Sequence, residues 1–257
     1  MSNPAKKSEI LRIALIGASG AMGQEIQRCA HGENVEVVLC YDHEHPLQQQ
    51  APETAFDVAI DFTLPDAAPA NIQRMLEWRK PIVVGTTGWL EALPEIEAKV
   101  QEQEGRVLWA SNFSVGVQAF FHVVQGAAAL FDQIEHYDVA VHEEHHVRKA
   151  DSPSGTARTI AEILLESITR KTAMLAETSH GRIPKDALHV TSRRLGETVG
   201  THIVTFDAGA DTIEITHRAK NRSGFALGAL VAARWLAGAK PGLYRFDDVF
   251  EDTLRAG

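Results

Sequence analysis

The sequence predicts an α/β protein: a parallel sheet flanked by helices, with an α+β domain inserted near its end. Three observations carry this. Apolar runs of strand length alternate with helical runs from Arg12 to Ala110, as in chains of βαβ units. A glycine-rich turn joins the first of these runs to the first helix. Beyond Val115 the pattern changes to longer runs rich in Val, Ile and Thr with glycine-containing turns between them, which read as an antiparallel sheet. The expected domains are residues 1–113 with 223–257, and residues 114–222.

Taken in order, Arg12–Gly17 is a continuous apolar run, as expected of a strand buried on both faces. It enters Gly17-Ala18-Ser19-Gly20-Ala21-Met22-Gly23 and then a helical pattern through Ala30. Strand, glycine turn and helix together are the Rossmann-type arrangement, in which backbone amides at a helix N-terminus meet a pyrophosphate. The spacing is Gly-x-x-Gly-x-x-Gly, with Ala18 where the usual fingerprint has a glycine. The competing reading is a tight turn without a ligand. Val35–Cys40 is the second strand, and Asp42 follows where a carboxylate can accept from a ribose hydroxyl. Further strands are expected at Phe56–Asp61, Pro81–Gly85 and Arg106–Ala110, with helices at Ala67–Glu77 and Leu93–Glu104. Ligands of such sheets sit beyond the carboxyl ends of the strands, which makes the Gly/Thr/Asn-rich strand ends candidates for cofactor contact.

In the second part, Val115–Phe131 reads as a helix and Gln133–Val141 as a strand. Then comes Glu143-Glu144-His145-His146-Val147-Arg148-Lys149-Ala150-Asp151-Ser152-Pro153-Ser154-Gly155-Thr156-Ala157. Ser152 fits a helix N-cap and Pro153 the first helical position, with the helix running to Ser167. The Gly155 and Thr156 amides then lack intrahelical acceptors and form an anion site. One segment thus offers proton donors, cations and a carboxylate cradle. The plain alternative is a capped turn with solvated side chains. Ala187–Arg193, Thr198–Phe206 and Asp211–His217 are the remaining strands, and Ser223–Leu236 is an apolar helix returning to the first domain.

Composition excludes several classes. Net charge is −9, from 25 Lys and Arg against 34 Asp and Glu, with no basic stripe to meet nucleic acid or an anionic membrane surface. No apolar run is expected to span a membrane; Val115–Phe131 comes nearest and is interrupted by Gln118, His122 and Gln125. The polar N-terminus shows no signal region, and Cys29 and Cys40 read as reduced core thiols, which points to the cytoplasm. His142-Glu143-Glu144-His145-His146 formally matches the His-Glu-x-x-His zinc signature, but that signature needs a helix, and the residues before it read as a strand; no metal is expected.

With these motifs in hand, the chain resembles, essentially end to end, the bacterial dihydrodipicolinate reductase family, also called 4-hydroxy-tetrahydrodipicolinate reductase. The likeness covers Gly17–Gly23, Asp61-Phe-Thr, Gly85-Thr-Thr-Gly88, Asn112–Val117, Glu143–Ala157, Gly200–Val204, Glu214–His217 and Phe225–Ala229. It implies that Gly17, Ala18, Ser19, Gly20, Ala21 and Met22, then Gly85, Thr86 and Thr87, then Ala110, Ser111, Asn112 and Phe113 contact NAD(P)H. It implies that His145 is the acid/base and Lys149 its partner, that His146 and the Gly155 and Thr156 amides hold substrate, and that the chain forms a homotetramer through the second domain's sheet. Ser111 departs slightly from the family's usual Pro or Ala. His43 stands where relatives that use NADPH well carry Arg.

Together these readings give a small cyclic imine dicarboxylate as substrate. A proton from His145 and charge stabilisation by Lys149 would accompany hydride delivery. An imidazole pairs only weakly with a 2′-phosphate at neutral pH, and Asp42 repels one, so NADH is expected to be favoured over NADPH. The alternatives are a non-catalytic NAD(H)-binding regulator and a reductase of a different imine or keto acid.

Overall fold

The computed structural model describes residues 9–176 and 178–255, with side chains as far as Asp252; the polar N-terminal stretch lies outside the described residues. The chain divides into two compact units, one running to Val115 and resuming at Ser223, the other spanning Gly116–Arg222.

The first unit opens with β1 (Leu11–Ile16), α1 (Ala21–Ala30), β2 (Val35–Tyr41), β3 (Val58–Asp61), α2 (Ala68–Glu77), β4 (Ile82–Val84), α3 (Leu93–Glu102) and β5 (Arg106–Trp109). The second unit holds α4 (Val115–Asp132), β6 (Asp138–His145), α5 (Gly155–Ser167), β7 (Ala173–Leu175), β8 (Ala187–Arg194), β9 (Gly200–Asp207) and β10 (Thr212–Ala219). The chain then returns through α6 (Ser223–Gly238), β11 (Gly242–Arg245) and α7 (Phe246–Arg255).

In the first unit six parallel strands lie in the order β11-β5-β4-β3-β1-β2. Both faces are buried, which is why its strands are apolar without alternation. Ile13 and Leu15 face α1 and α6, while Ala14 and Ile16 face α2 and α3. Each fully buried Ile or Leu contributes roughly 1.5–3 kcal/mol of transfer free energy. The expected five-fold alternation fails at one point: residues 42–57 connect β2 to β3 without a helix. Polar residues and two prolines in that stretch leave no apolar helical stripe. On the α1 face, α6 packs on β3, β4 and β5. A further strand, β11, was not anticipated because Gly-Leu-Tyr-Arg is too short to show a pattern. The two cysteines are free, but neither is a core thiol: Cys29 is half-buried and Cys40 is exposed on the edge strand β2.

In the second unit the sheet order is β10-β9-β6-β8-β7. The expected antiparallel sheet is mixed: β10, β9 and β6 are antiparallel, whereas β6–β8 and β8–β7 are parallel. The helix α5 lies between β6 and β8 in sequence and provides the crossover that a parallel pair requires. The α4 helix has 18 residues and a mean hydropathy of 1.2, so it is apolar and long enough to cross a membrane by length and composition. Its face bearing Phe120, Val124, Ala128 and Phe131 packs instead into a core with Ile160 and Leu164 of α5, Val139 and Val141 of β6, and Val204 and Phe206 of β9.

Candidate active site

The sequence-predicted residues fall into two groups, one in each unit. In the first, Gly17 ends β1 at φ +87°, a conformation glycine adopts without cost, and the Gly17 and Ala18 amides donate to Tyr41 O. The α1 helix starts at Ala21 with Gly20 as N-cap, no side-chain cap and no acidic residue in its first turn. The amides of the first turn therefore have room for an anion and no internal competitor for it. Gly23 packs against the turn itself: a Cβ there would lie 2.2 Å from Gly17 O. These features fit the pyrophosphate of a dinucleotide.

Asp42 lies just past β2, beside this turn. The His45 amide, foremost, with the Glu44 amide and Ser19 hydroxyl, holds its carboxyl below the usual carboxylate range against the opposing effect of burial. His43 is exposed, with Nε2 3.8 Å from Glu44 Oε1. The other candidates lie past the carboxyl ends of β4 and β5. Thr87 and Ser111 are exposed, and Ala110 and Asn112 half-buried. Two candidates turn inward. The Thr86 hydroxyl donates to Asp61 Oδ1 at 3.0 Å and accepts from the Thr63 amide. Phe113 is 2% exposed, with its ring packed against Phe62 and Phe246. What these two residues offer a ligand is backbone.

In the second unit, β6 runs to His145, four residues beyond the expected end, and its burial alternates strictly. Val139, Val141, Glu143 and His145 all face the core, so His142 and Glu143 of the zinc signature lie on a strand, His146 lies just past its end, and the three do not share a helical face. The helix N-cap is Ser154 rather than Ser152. Its hydroxyl accepts from Ala157 N at 3.2 Å and its own amide donates to Glu143 Oε1 at 3.0 Å, so α5 starts at Gly155 and Pro153 lies outside it. Gly155 and Thr156 remain the first two helical residues. A Cβ on Gly155 would meet no protein atom within 4 Å.

Sequence reading missed the centre of this group. Glu143 is fully buried. Its Oε1 accepts from Ser154 N, from Ser192 Oγ at 2.8 Å and from Arg194 Nη2 at 3.1 Å. Its Oε2 lies 3.3 Å from His145 Nδ1 and 3.6 Å from His202 Nε2. Burial alone would raise the Glu143 pKa, but the His145 and His202 rings beside Oε2 and the hydrogen bonds from Ser154 and Ser192 outweigh it and keep the carboxyl ionised, far below the usual range. His202 is 4% exposed; burial lowers its pKa, and Glu143 only partly restores it. Glu143, His145 and His202 place three ligand atoms within 4.8 Å of one another, as a cation would need. Arg194 already supplies the positive charge that balances Glu143.

Lys149 Nζ pairs with Asp151 Oδ1 at 2.7 Å. His146 is half-buried; burial first, then Arg148 and Arg222, lowers its pKa, and its Nδ1 is buried without a hydrogen-bond partner. The signal for Glu143 was present: period-two alternation from Val139, continued past Val141, puts Glu143 and His145 on the buried face.

Comparison with known proteins agrees across the whole chain. Residues 11–113 match the model of the dihydrodipicolinate reductase N-terminus and residues 116–250 that of its C-terminus. Over 249 residues the chain is 39% identical to 4-hydroxy-tetrahydrodipicolinate reductase of Christiangramia forsetii, covering 95% of this chain and 100% of the relative. It is 36% identical to the enzyme of that name from Methanoregula boonei, covering 93% and 97%. Among solved structures, the dipicolinate-bound dihydrodipicolinate reductase of Paenisporosarcina sp. TG-14 shares the fold at a TM-score of 0.72 and 24% identity, covering 93% of this chain and 99% of that one. With both halves of the family model matched in order and relatives matched over nearly their full length, the chain belongs to the dihydrodipicolinate reductase family, and it reduces 4-hydroxy-tetrahydrodipicolinate with NAD(P)H in lysine and diaminopimelate biosynthesis.

Proposed function

We propose that the group around β6 and the start of α5 is the substrate site, with His145 as the acid, Lys149 as its charge-stabilising partner, and His146, Gly155 and Thr156 as substrate contacts. The observation that carries this is the shared anchoring of His145 and the α5 N-cap on one buried carboxylate, Glu143. The Gly155 and Thr156 amides hold one carboxylate of a small cyclic imine dicarboxylate. His146 and Lys149 hold the rest, Lys149 exchanging its Asp151 partner for the ligand. When bound, the reduced nicotinamide would supply the hydride, taken at ring C4 of the conjugated imine once the 4-hydroxyl has left as water. His145 then gives a proton to C3, and Lys149 stabilises the negative charge that develops before it arrives.

The cofactor is held by the residues of Gly17–Met22, Asp42, Gly85–Thr87 and Ala110–Phe113. NADH is favoured over NADPH because Asp42 is an anion and His43, Glu44, His45 and Pro46 bring no Arg or Lys to a 2′-phosphate. The protein works in the cytoplasm as a homotetramer. In support of an assembly role, the face of the second unit's sheet opposite α5 carries Glu144 and the exposed Arg193, 2.7 Å apart.

The test is steady-state kinetics with enzymatically generated substrate. His145→Gln and Lys149→Ala are each expected to lower kcat by about 10²-fold or more while NADH binding survives. Near-normal turnover in both variants would refute the assignment.

A further inference from the structure

Glu143 does more than neutralise Arg194. It is a wholly buried charge with two oxygens doing separate jobs. Oε1 receives the Ser154 amide, which fixes the residue that caps α5. Oε2 faces the ring nitrogens of His145 and His202, whose rings meet edge to face at 5.1 Å. An ionised carboxylate only accepts hydrogen bonds, so a nitrogen held against it must carry its proton. His145 Nδ1 and Glu143 Oε2 lie 3.3 Å apart, and both are buried without a hydrogen-bond partner among the described residues, so each is the nearest polar group left to answer the other. The other ring nitrogen, Nε2, lies over Gly200, where even a methyl group would approach to 3.1 Å. The sheet explains the alignment. Glu143 is opposite Ser192 on β8 and His202 on β9, and His145 is opposite Arg194 on β8.

We propose that Glu143 is the positioning residue of this reaction: it holds the His145 ring with Nδ1–H inward and Nε2 toward substrate, and through Ser154 it sets the carboxylate cradle in register with that nitrogen. The assignment rests on the roles proposed above for His145 and the α5 N-terminus. Without Glu143 the ring loses the partner that selects its tautomer, as an imidazole does when a triad loses its carboxylate. Besides Glu143, the titratable groups beside His145 are His202 from β9, ring to ring at 5.1 Å, and its neighbour His146, while Arg194 from β8 reaches Glu143 from the other oxygen. All of them remain in a Glu143→Gln variant.

The decisive experiment is a double-mutant cycle of Glu143→Gln and His145→Gln, reading kcat and KM, joined to 15N NMR of the histidine side chains of the wild type. Glu143→Gln alone is expected to lower kcat by about 10²-fold. Added to His145→Gln, it should cost less than about threefold more in kcat, because the residue it serves is gone. KM for the dicarboxylate should rise in both backgrounds, since the cradle depends on Oε1 and not on His145. In the wild type, neutral His145 should show its proton on Nδ1. A kcat loss of equal size in both backgrounds would reduce Glu143 to a general structural role and overturn the proposal. So would a neutral wild-type His145 with its proton on Nε2, a result that needs no variant to fold. Normal kcat in His145→Gln alone would instead refute the acid assignment, and is thereby distinguished from failure of the positioning role.

Discussion

Among the described residues, each unit of this molecule buries one carboxylate at or near the end of a strand, and the two are solved in opposite ways. Asp61, at the end of β3, meets only neutral donors: the Thr63 amide and hydroxyl, the Thr86 hydroxyl and the Asn71 amide, at 2.7–3.0 Å. Burial wins there and raises its pKa despite all four bonds. Glu143, near the end of β6, meets Arg194 and two imidazoles as well as neutral donors, and its pKa falls. The first arrangement ties down the loops that follow β3 and β4. The second keeps a permanent charge next to His202 and His145, the latter proposed above as the acid. A buried carboxylate is thus scaffolding or electrostatics according to whether its donors are charged.

The sharpest way to break this contrast uses a glycine from each unit. Gly23→Ala would drive a Cβ to 2.2 Å from Gly17 O and 2.7 Å from the Ala18 backbone. It is expected to destabilise the protein by about 1–3 kcal/mol and to weaken dinucleotide binding with it. Gly155→Ala meets nothing within 4 Å, so its stability should stay within about 0.5 kcal/mol of wild type. Its competitive inhibition by pyridine-2,6-dicarboxylate should weaken roughly tenfold, about 1.4 kcal/mol. Thermal unfolding and inhibition constants measure both. A stable Gly23→Ala would contradict the turn packing, and unchanged inhibition of Gly155→Ala would contradict the cradle.

A smaller effect separates the carboxylates by pH. Asp61 has a folded pKa above its unfolded value, so the native state binds the extra proton and stability falls as pH rises from about 4 through the folded pKa. Glu143 has a folded pKa below its unfolded value, so its contribution is fully present above pH of about 4.3 and is lost only as pH falls further. Urea unfolding should therefore show wild type losing ground to Asp61→Asn as pH rises from about 4, while above about pH 7, where the His202 that Glu143 acts on is neutral in both proteins, the gap between wild type and Glu143→Gln stays constant. A gap that changes for Glu143→Gln alone would invert the comparison.

The smallest effect concerns the coenzyme. NADH is expected to have the higher kcat/KM by a few-fold to roughly tenfold, about 1 kcal/mol, and His43→Arg should narrow or reverse that. Strong NADPH preference in the wild type would place the phosphate contact outside the loop after β2.

How legible each unit was follows from how local its instructions are. The glycine turn could be read because Gly17, Gly20 and Gly23 act through spacing and φ within a few residues of one another. The Gly155 and Thr156 amides were also legible, since a two-residue error in the cap left both in the first turn. Glu143 was not. Its role arises from Ser192, Arg194 and His202, which are 49 to 59 positions away in sequence and are brought beside it only by the pairing of β6 with β8 and β9. The mixed direction of that sheet was hidden for the same reason: strand composition carries no sign for direction. Asp61 appeared in the sequence as part of a family motif, but its burial depends on Asn71 and Thr86, on other elements.

The return of the chain to its first unit has a consequence for how the protein is made. The core facing α1 is completed by Ala226, Ala229, Leu230, Ala233 and Leu236 of α6, and the sheet's far edge by β11. On the ribosome, β1 to β5 emerge long before either. Until the whole second unit has been synthesised, Val83 and Leu108 lack the helix that covers them, and β5 has an open edge. Domains generally fold as units, earliest-made first, and apolar surface or strand edge exposed in the meantime invites misassembly. Here the order is inverted: the unit encoded in the middle has all its strands and helices first, and the unit that begins the chain is the last to close.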